Sequence, residues 1–150
     1  MELILWRHAE AEDGSPDLAR ALTPKGRKQA ARVAEWLRQR LPSRCVLLAS
    51  PAARAQQTAE ALGGRVKTVE RLAPGAAVAD ILAAAGWPEH KSAAVVVGHQ
   101  PDLGRCAAYL VSGQHLEWSI KKGGLWWLSS RNRDAEAQVV VRAVVSPDLL

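Results

Sequence analysis

The chain contains no phenylalanine, one tyrosine and one methionine among 150 residues. Aromatic residues make up only 5%. Stacking platforms for nucleic-acid bases are therefore scarce, because such platforms present aromatic faces along a basic groove. Cysteine is equally sparse. Cys45 and Cys106 lie far apart and form no C-x-x-C pair. A disulfide framework and a thiolate metal site are both disfavoured, and free thiols in a reducing compartment are expected. No run approaches the roughly 20 apolar residues that a membrane helix requires. Glu2 precedes four apolar residues and Arg7 then interrupts them, which is not a signal-peptide pattern. These absences lead us to expect one cytoplasmic domain spanning residues 1–150, with no membrane and no nucleic-acid partner.

What is present is typical of a folded, water-facing chain. Apolar residues reach 48% and charged residues 23%, with a net charge of +5 and a pI near 9.7. A basic balance suits an anionic substrate. Arg20, Lys25, Arg27, Lys28, Arg32, Arg38 and Arg40 are mostly spread along one segment and read as a solvated helix face.

Residues 2–6 read as a short buried strand, followed by a charged segment and the loop signals Gly14, Ser15 and Pro16. Thr23-Pro24 supplies an N-cap and a first-turn proline. Ala30, Val33, Ala34, Leu37 and Leu41 follow at helical spacing, and Pro42 closes the helix. Residues 45–49 read as a second strand. Ser50-Pro51 repeats the capping signal, for a helix to about Leu62 that Gly63-Gly64 ends. A short strand at 66–69, a helix at 77–86, a buried strand at 93–97 and a helix to about Val111 come next. Two final strands, 125–129 and 138–145, flank a polar turn at Ser130–Asp134. Strands alternating with helices predict an α/β fold with three α/β/α layers and a mostly parallel central sheet.

Three polar segments occupy equivalent places in this pattern. Arg7-His8 follows the first strand, Ser50-Pro51-Ala52-Ala53-Arg54 the second, and Gly98-His99-Gln100-Pro101 the strand at 93–97. Ligands bind beyond the carboxyl ends of parallel strands. Two arginines and two histidines are thereby expected to converge. Guanidinium forks match phosphate oxygens, and helix starts favour anions. A neutral imidazole beside phosphorus is a competent nucleophile. The nearby cations should keep His8 neutral and stabilise charge in the transition state. A metal held by His8, His99 and Glu10, Glu12 or Asp13 is the competing chemistry, disfavoured because two arginines would repel a cation. No metal and no cofactor are expected. His90 and His115 lack this context and read as surface or partly buried polar residues.

The three segments together resemble the histidine phosphatase superfamily, which includes the phosphoglycerate mutases. The matching elements are Arg7-His8, the run Ser50-Pro51-Ala52-Ala53-Arg54-Ala55-Gln56-Gln57-Thr58, Gly98-His99, and Leu22-Thr23-Pro24-Lys25-Gly26. The short length and the run Gly98–Leu103 look most like SixA-type phosphohistidine phosphatases. The resemblance implies a phosphoglycerate mutase-like fold and a metal-independent reaction. It makes His8 the nucleophile, transiently phosphorylated, with Arg7, Arg54 and His99 as the catalytic phosphate-binding shell. His99 would carry a proton once phosphate is bound. Ser50 is expected among the substrate-binding residues.

Larger relatives insert a long segment after the Arg54-bearing helix, and this chain has almost none. An open pocket follows, suited to a phosphoryl group displayed on a protein. Relatives also use a carboxylic acid to protonate the leaving group. Glu10, Glu12, Asp13 and Glu70 are candidates, and none holds that position clearly. An alkoxide needs that proton, whereas a protonated phosphohistidine leaves as neutral imidazole. Phosphohistidine on a protein is the expected substrate. A small phosphate ester, handled by a phosphomonoesterase or mutase, and a non-catalytic phosphate-binding module are the alternatives.

Overall fold

A computed structural model of the chain describes residues 1–134 and 136–150. The strands are β1 (Glu2–Arg7), β2 (Cys45–Ala49), β3 (Val66–Thr68), β4 (Ala93–Gly98), β5 (Leu125–Arg133) and β6 (Glu136–Val145). The helices are α1 (Pro24–Arg38), α2 (Ala53–Glu60), α3 (Val78–Ala85) and α4 (Asp102–Ser112). One six-stranded sheet runs in the order β3-β2-β4-β1-β5-β6. The first four strands in that order are parallel, and β5 and β6 are antiparallel additions at one edge.

Side-chain alternation explains the layers. Leu3 and Leu5 of β1 face one side, where they pack with Ile81 and Ala85 of α3 and Leu103, Cys106 and Ala107 of α4. Ile4 and Trp6 face the other, against Val33, Ala34 and Leu37 of α1 and Ala55 and Ala59 of α2. A central strand covered on both faces must be apolar throughout, and all six residues of β4 are buried. Cys45 and Cys106 are free thiols. Among the described residues, no helix is long and apolar enough to cross a membrane.

Three expected boundaries move. The helix after β2 starts at Ala53 with Ala52 as N-cap, so Ser50 is not its cap. The helix α1 ends at Arg38, four residues before Pro42. The final hairpin is longer than its apolar content implies. Ser130, Arg131, Asn132 and Arg133 continue β5, paired with β6, because strands at a sheet edge tolerate polar side chains. Asp134, with φ 52°, follows β5, and residue 135 lies outside the described residues.

Two contacts tie the core to the carboxyl end of the parallel strands. Fully buried Trp6 donates its indole N–H to the Gly123 carbonyl at 2.9 Å. Gly123 N in turn donates to His8 O at 3.1 Å. Truncating a buried tryptophan to alanine costs about 3–5 kcal/mol, and here it would also release the loop that abuts His8.

Candidate functional site

The strands β1, β2 and β4 lie side by side, so their carboxyl ends deliver the three polar segments to one place. The pairing Arg7↔Gly98 and the bond from His8 N to Gly98 O (3.0 Å) put His8 beside His99. The two imidazole centroids are 5.1 Å apart. Arg54, one residue into α2, donates from Nε to His8 Nε2 at 3.3 Å.

His8 has a defined tautomer. Its Nδ1 lies 2.7 Å from the Ala9 carbonyl, which can only accept, so Nδ1 carries the hydrogen. Nε2 is then unprotonated, and its lone pair accepts the hydrogen bond from Arg54 Nε. The His8 pKa is lowered to about 4. Burial is the largest cause; the Ala9 bond opposes it, and the Arg54, Arg7 and Arg20 charges add to the depression. The ring is neutral at pH 7, as expected, although burial outweighs the cations as the reason.

His99 is 3% exposed, and burial, followed by the charges of His8 and Arg54, pushes its pKa down to about 3. Its Nε2 lies 2.7 Å from Ser50 Oγ, and that oxygen accepts from Ala52 N at 3.1 Å. Among the described residues Ser50 Oγ has no other acceptor, so its hydroxyl hydrogen goes to His99 Nε2, which leaves the hydrogen of neutral His99 on Nδ1. That Nδ1 is buried with no partner. Ser50 is 0% exposed, and its hydroxyl sets the tautomer of His99.

Arg7 donates from Nη1 to the Ile120 carbonyl at 2.7 Å, and its Nε is buried without a partner. Two unsatisfied donors, Arg7 Nε and His99 Nδ1, thus occur in one cluster. Unpaired buried polar groups are rare and costly.

The same geometry explains the residues around the cluster. Thr58, fully buried, bonds back to Arg54 O (2.8 Å) and accepts from Ala9 N (3.0 Å). It thereby helps to fix Ala9, the residue whose carbonyl holds His8. Thr23 Oγ1 caps α1 by accepting from Gly26 N at 2.9 Å. A Cβ on Gly26 would overlap the backbone carbonyl of Glu10, so only glycine lets α1 pack this closely on the segment after His8.

Of the carboxylates considered as acids, Glu10 is bonded to Thr23 Oγ1 at 2.8 Å, and Glu12 and Asp13 are exposed. Glu70 begins a 3₁₀ turn after β3. Among the described residues, none of the four bonds to His8, Arg54 or His99. The carboxylate that does reach the cluster is Asp17, whose Oδ2 is 3.1 Å from Arg54 Nη2. It sits in a loop with no periodic pattern, and its spacing from His8 carries no signal. A second unforeseen carboxylate, buried Asp102, accepts from Gly75 N (2.9 Å) and Ala76 N (3.1 Å) and ties that loop to the start of α4. His90 and His115 are exposed. Among the described residues, no group of three or more His, Cys, Asp or Glu could hold a metal ion. A cavity of about 720 Å³ lined by Cys45, Arg65, Lys67 and His90 lies along the β3 edge and includes none of the cluster. A cleft of about 470 Å³ lined by Arg7, Lys25, Lys121 and Lys122 borders it.

The chain is similar to several known proteins. Residues 3–75 match the family described as the histidine phosphatase superfamily, branch 1. An uncharacterized protein of Picosynechococcus sp. is 38% identical over 146 residues, covering 87% of this chain and 86% of its own. A Nakamurella multipartitia protein assigned as a SixA phosphohistidine phosphatase superposes with a TM-score of 0.77 at 30% identity, covering 97% of this chain and 96% of that one. The protein histidine phosphatase SixA complexed with tungstate gives a TM-score of 0.80 at 23% identity, with 99% of each chain covered. The fold also matches phosphoserine phosphatase of Entamoeba histolytica, with a TM-score of 0.71 at 18% identity over 99% of this chain and 98% of that one.

Proposed function

This chain belongs to the histidine phosphatase superfamily, and on that premise we propose that it removes phosphoryl groups from phosphohistidine on proteins, with His8 as nucleophile. Phosphatase chemistry is the family's; the protein substrate and the residue roles are our reading. His8 Nε2 attacks phosphorus as the bond to the leaving group breaks, and the electron pair departs with that group. Arg7, Arg54 and the Nδ1–H of His99 hold the phosphoryl oxygens. Water then attacks phosphorus and releases His8. The Ala9 carbonyl serves both steps. It leaves Nε2 unprotonated for attack, and it keeps a hydrogen on Nδ1 so that phospho-His8 leaves as neutral imidazole.

The observation that carries the substrate assignment is the state of Asp17. It is the carboxylate bonded to the cluster, and hydrogen bonds from Arg54 and then Arg20 hold its pKa below the ordinary carboxylate value. A carboxylate so held stays ionised at neutral pH and has no proton for an alkoxide. Protonated phosphohistidine needs none, because it departs as neutral imidazole, whose conjugate acid has a pKa of about 6.5. The short link from α2 to β3 adds no segment that would wall off the site, which suits a phosphoryl group presented on a protein surface.

The test is a panel of phosphohistidine proteins and simple alkyl phosphates, compared by kcat/KM. We expect phosphohistidine proteins to lead. Strong turnover of alkyl phosphates with none of phosphohistidine protein would overturn the assignment in favour of a small-molecule phosphatase.

A further inference from the structure

We propose that Asp17 is the positioning residue for Arg54, holding the outer edge of its guanidinium so that the inner edge stays aimed at His8 Nε2. The inference rests on reading the His8 cluster as an oxyanion site. It does not depend on which phosphorylated molecule is the substrate.

Arg54 is 3% exposed, so its charge is nearly removed from water. It spends three of its five N–H donors on visible partners. Nη1 donates to the Asp17 carbonyl at 2.9 Å, Nη2 to Asp17 Oδ2 at 3.1 Å, and Nε to His8 Nε2 at 3.3 Å. Asp17 thus grips the Nη1–Nη2 edge with a backbone and a side-chain oxygen. The remaining fork, Nε with the second Nη2 hydrogen, is the one beside the nucleophile. A planar fork held along one edge has little freedom to tilt, and that fixes where its other edge points.

Asp17 is itself braced. Its Oδ1 takes a bond from Arg20 Nε at 3.0 Å, and Arg20 Nη1 reaches the Glu12 carbonyl at 3.0 Å. Asp17 opens the 3₁₀ turn Asp17–Ala19, which has no buried residue of its own, and its side chain is 56% exposed. The loop contributes little core, so its contact with Arg54 is what this residue adds to the site.

Two effects of removing the carboxylate have opposite signs. If Asp17 only screens charge, its loss strengthens the local positive potential. Phosphate then binds tighter and the His8 pKa falls further. If Asp17 positions Arg54, its loss lets the guanidinium swing away. Phosphate then binds more weakly and the His8 pKa rises toward its ordinary value.

The experiment follows His8 by ring ¹H–¹⁵N NMR in the wild type, Asp17→Asn and Asp17→Ala. It measures the ring titration and the binding of inorganic phosphate at pH 7, with thermal melts confirming folded protein. We expect Asp17→Ala to weaken phosphate about tenfold and to raise the His8 midpoint above about 4, still short of the ordinary value because burial remains. Asp17→Asn keeps an acceptor of the same shape and should fall between. Unchanged or tighter phosphate with an unchanged or lower midpoint would overturn the proposal. Neither readout uses a phosphohistidine substrate, so failure of the substrate assignment would be seen separately.

Discussion

Lowering the pH from 7 to 5 should destabilise this protein through its two site histidines. The sign follows from linkage. The folded pKa of His8, about 4, lies below the ordinary 6.5. As pH falls, the unfolded chain takes up a proton that the folded protein refuses, so stability is present above pH 6.5 and lost toward pH 4. At pH 5 an unfolded ring is protonated about thirty to one, whereas the folded His8 ring is about one-tenth protonated, a difference of about 2 kcal/mol. His99, with a pKa of about 3, acts in the same direction with a similar size. The low-pKa carboxylates Asp17, Glu35 and Asp148 make their own losses below this window. Burial raises the Asp102 pKa, which works in the opposite sense. The comparison that isolates His8 is urea unfolding of the wild type and His8→Asn at both pH values, since Asp102 is common to both. The wild type should lose about 2 kcal/mol more than the variant between pH 7 and pH 5. Equal losses would refute the claim that a half-buried, neutral His8 is built into the site.

Ser50→Ala should lower kcat on an aryl phosphate about 10²-fold, the scale for losing one oriented donor at a developing anion. It should also cost about 1–3 kcal/mol in urea unfolding, because Ala52 N is left buried and unpaired. A variant with normal kcat would show that the His99 tautomer does not matter. Gly26→Ala should destabilise the protein by about 1–3 kcal/mol despite the higher helix propensity of alanine, because the new Cβ meets the Glu10 carbonyl. A raised melting temperature would contradict the close packing of α1 on the segment after His8.

The sheet and the meeting of Arg7, His8, Arg54 and His99 near one another were readable in the chain because both rest on local patterns. Apolar runs mark β1, β2 and β4, and each polar segment follows its strand directly. Ser50 shows where local signals mislead. A serine before a proline after a strand looks like a helix cap, but its hydroxyl is drawn to His99, which lies 49 residues away in sequence. Asp17 was illegible for the same reason. It sits in an aperiodic loop, and its partner Arg54 is 37 residues distant. The polar end of β5 escaped notice because past Ser129 it runs beyond β1 and pairs with β6 alone, where an exposed hairpin needs no apolar face. The N-cap at Thr23 was legible, but its second bond, to Glu10, depends on how α1 packs.

The central claim is that phosphorus becomes bonded to His8. Rapid acid-free quenching of a reaction with ³²P-labelled aryl phosphate, followed by proteolysis, tests it directly. One acid-labile, base-stable phosphoryl group is expected on the peptide containing His8, and none in His8→Ala. A phosphoenzyme that persists in His8→Ala, or a label stable to acid, would contradict it.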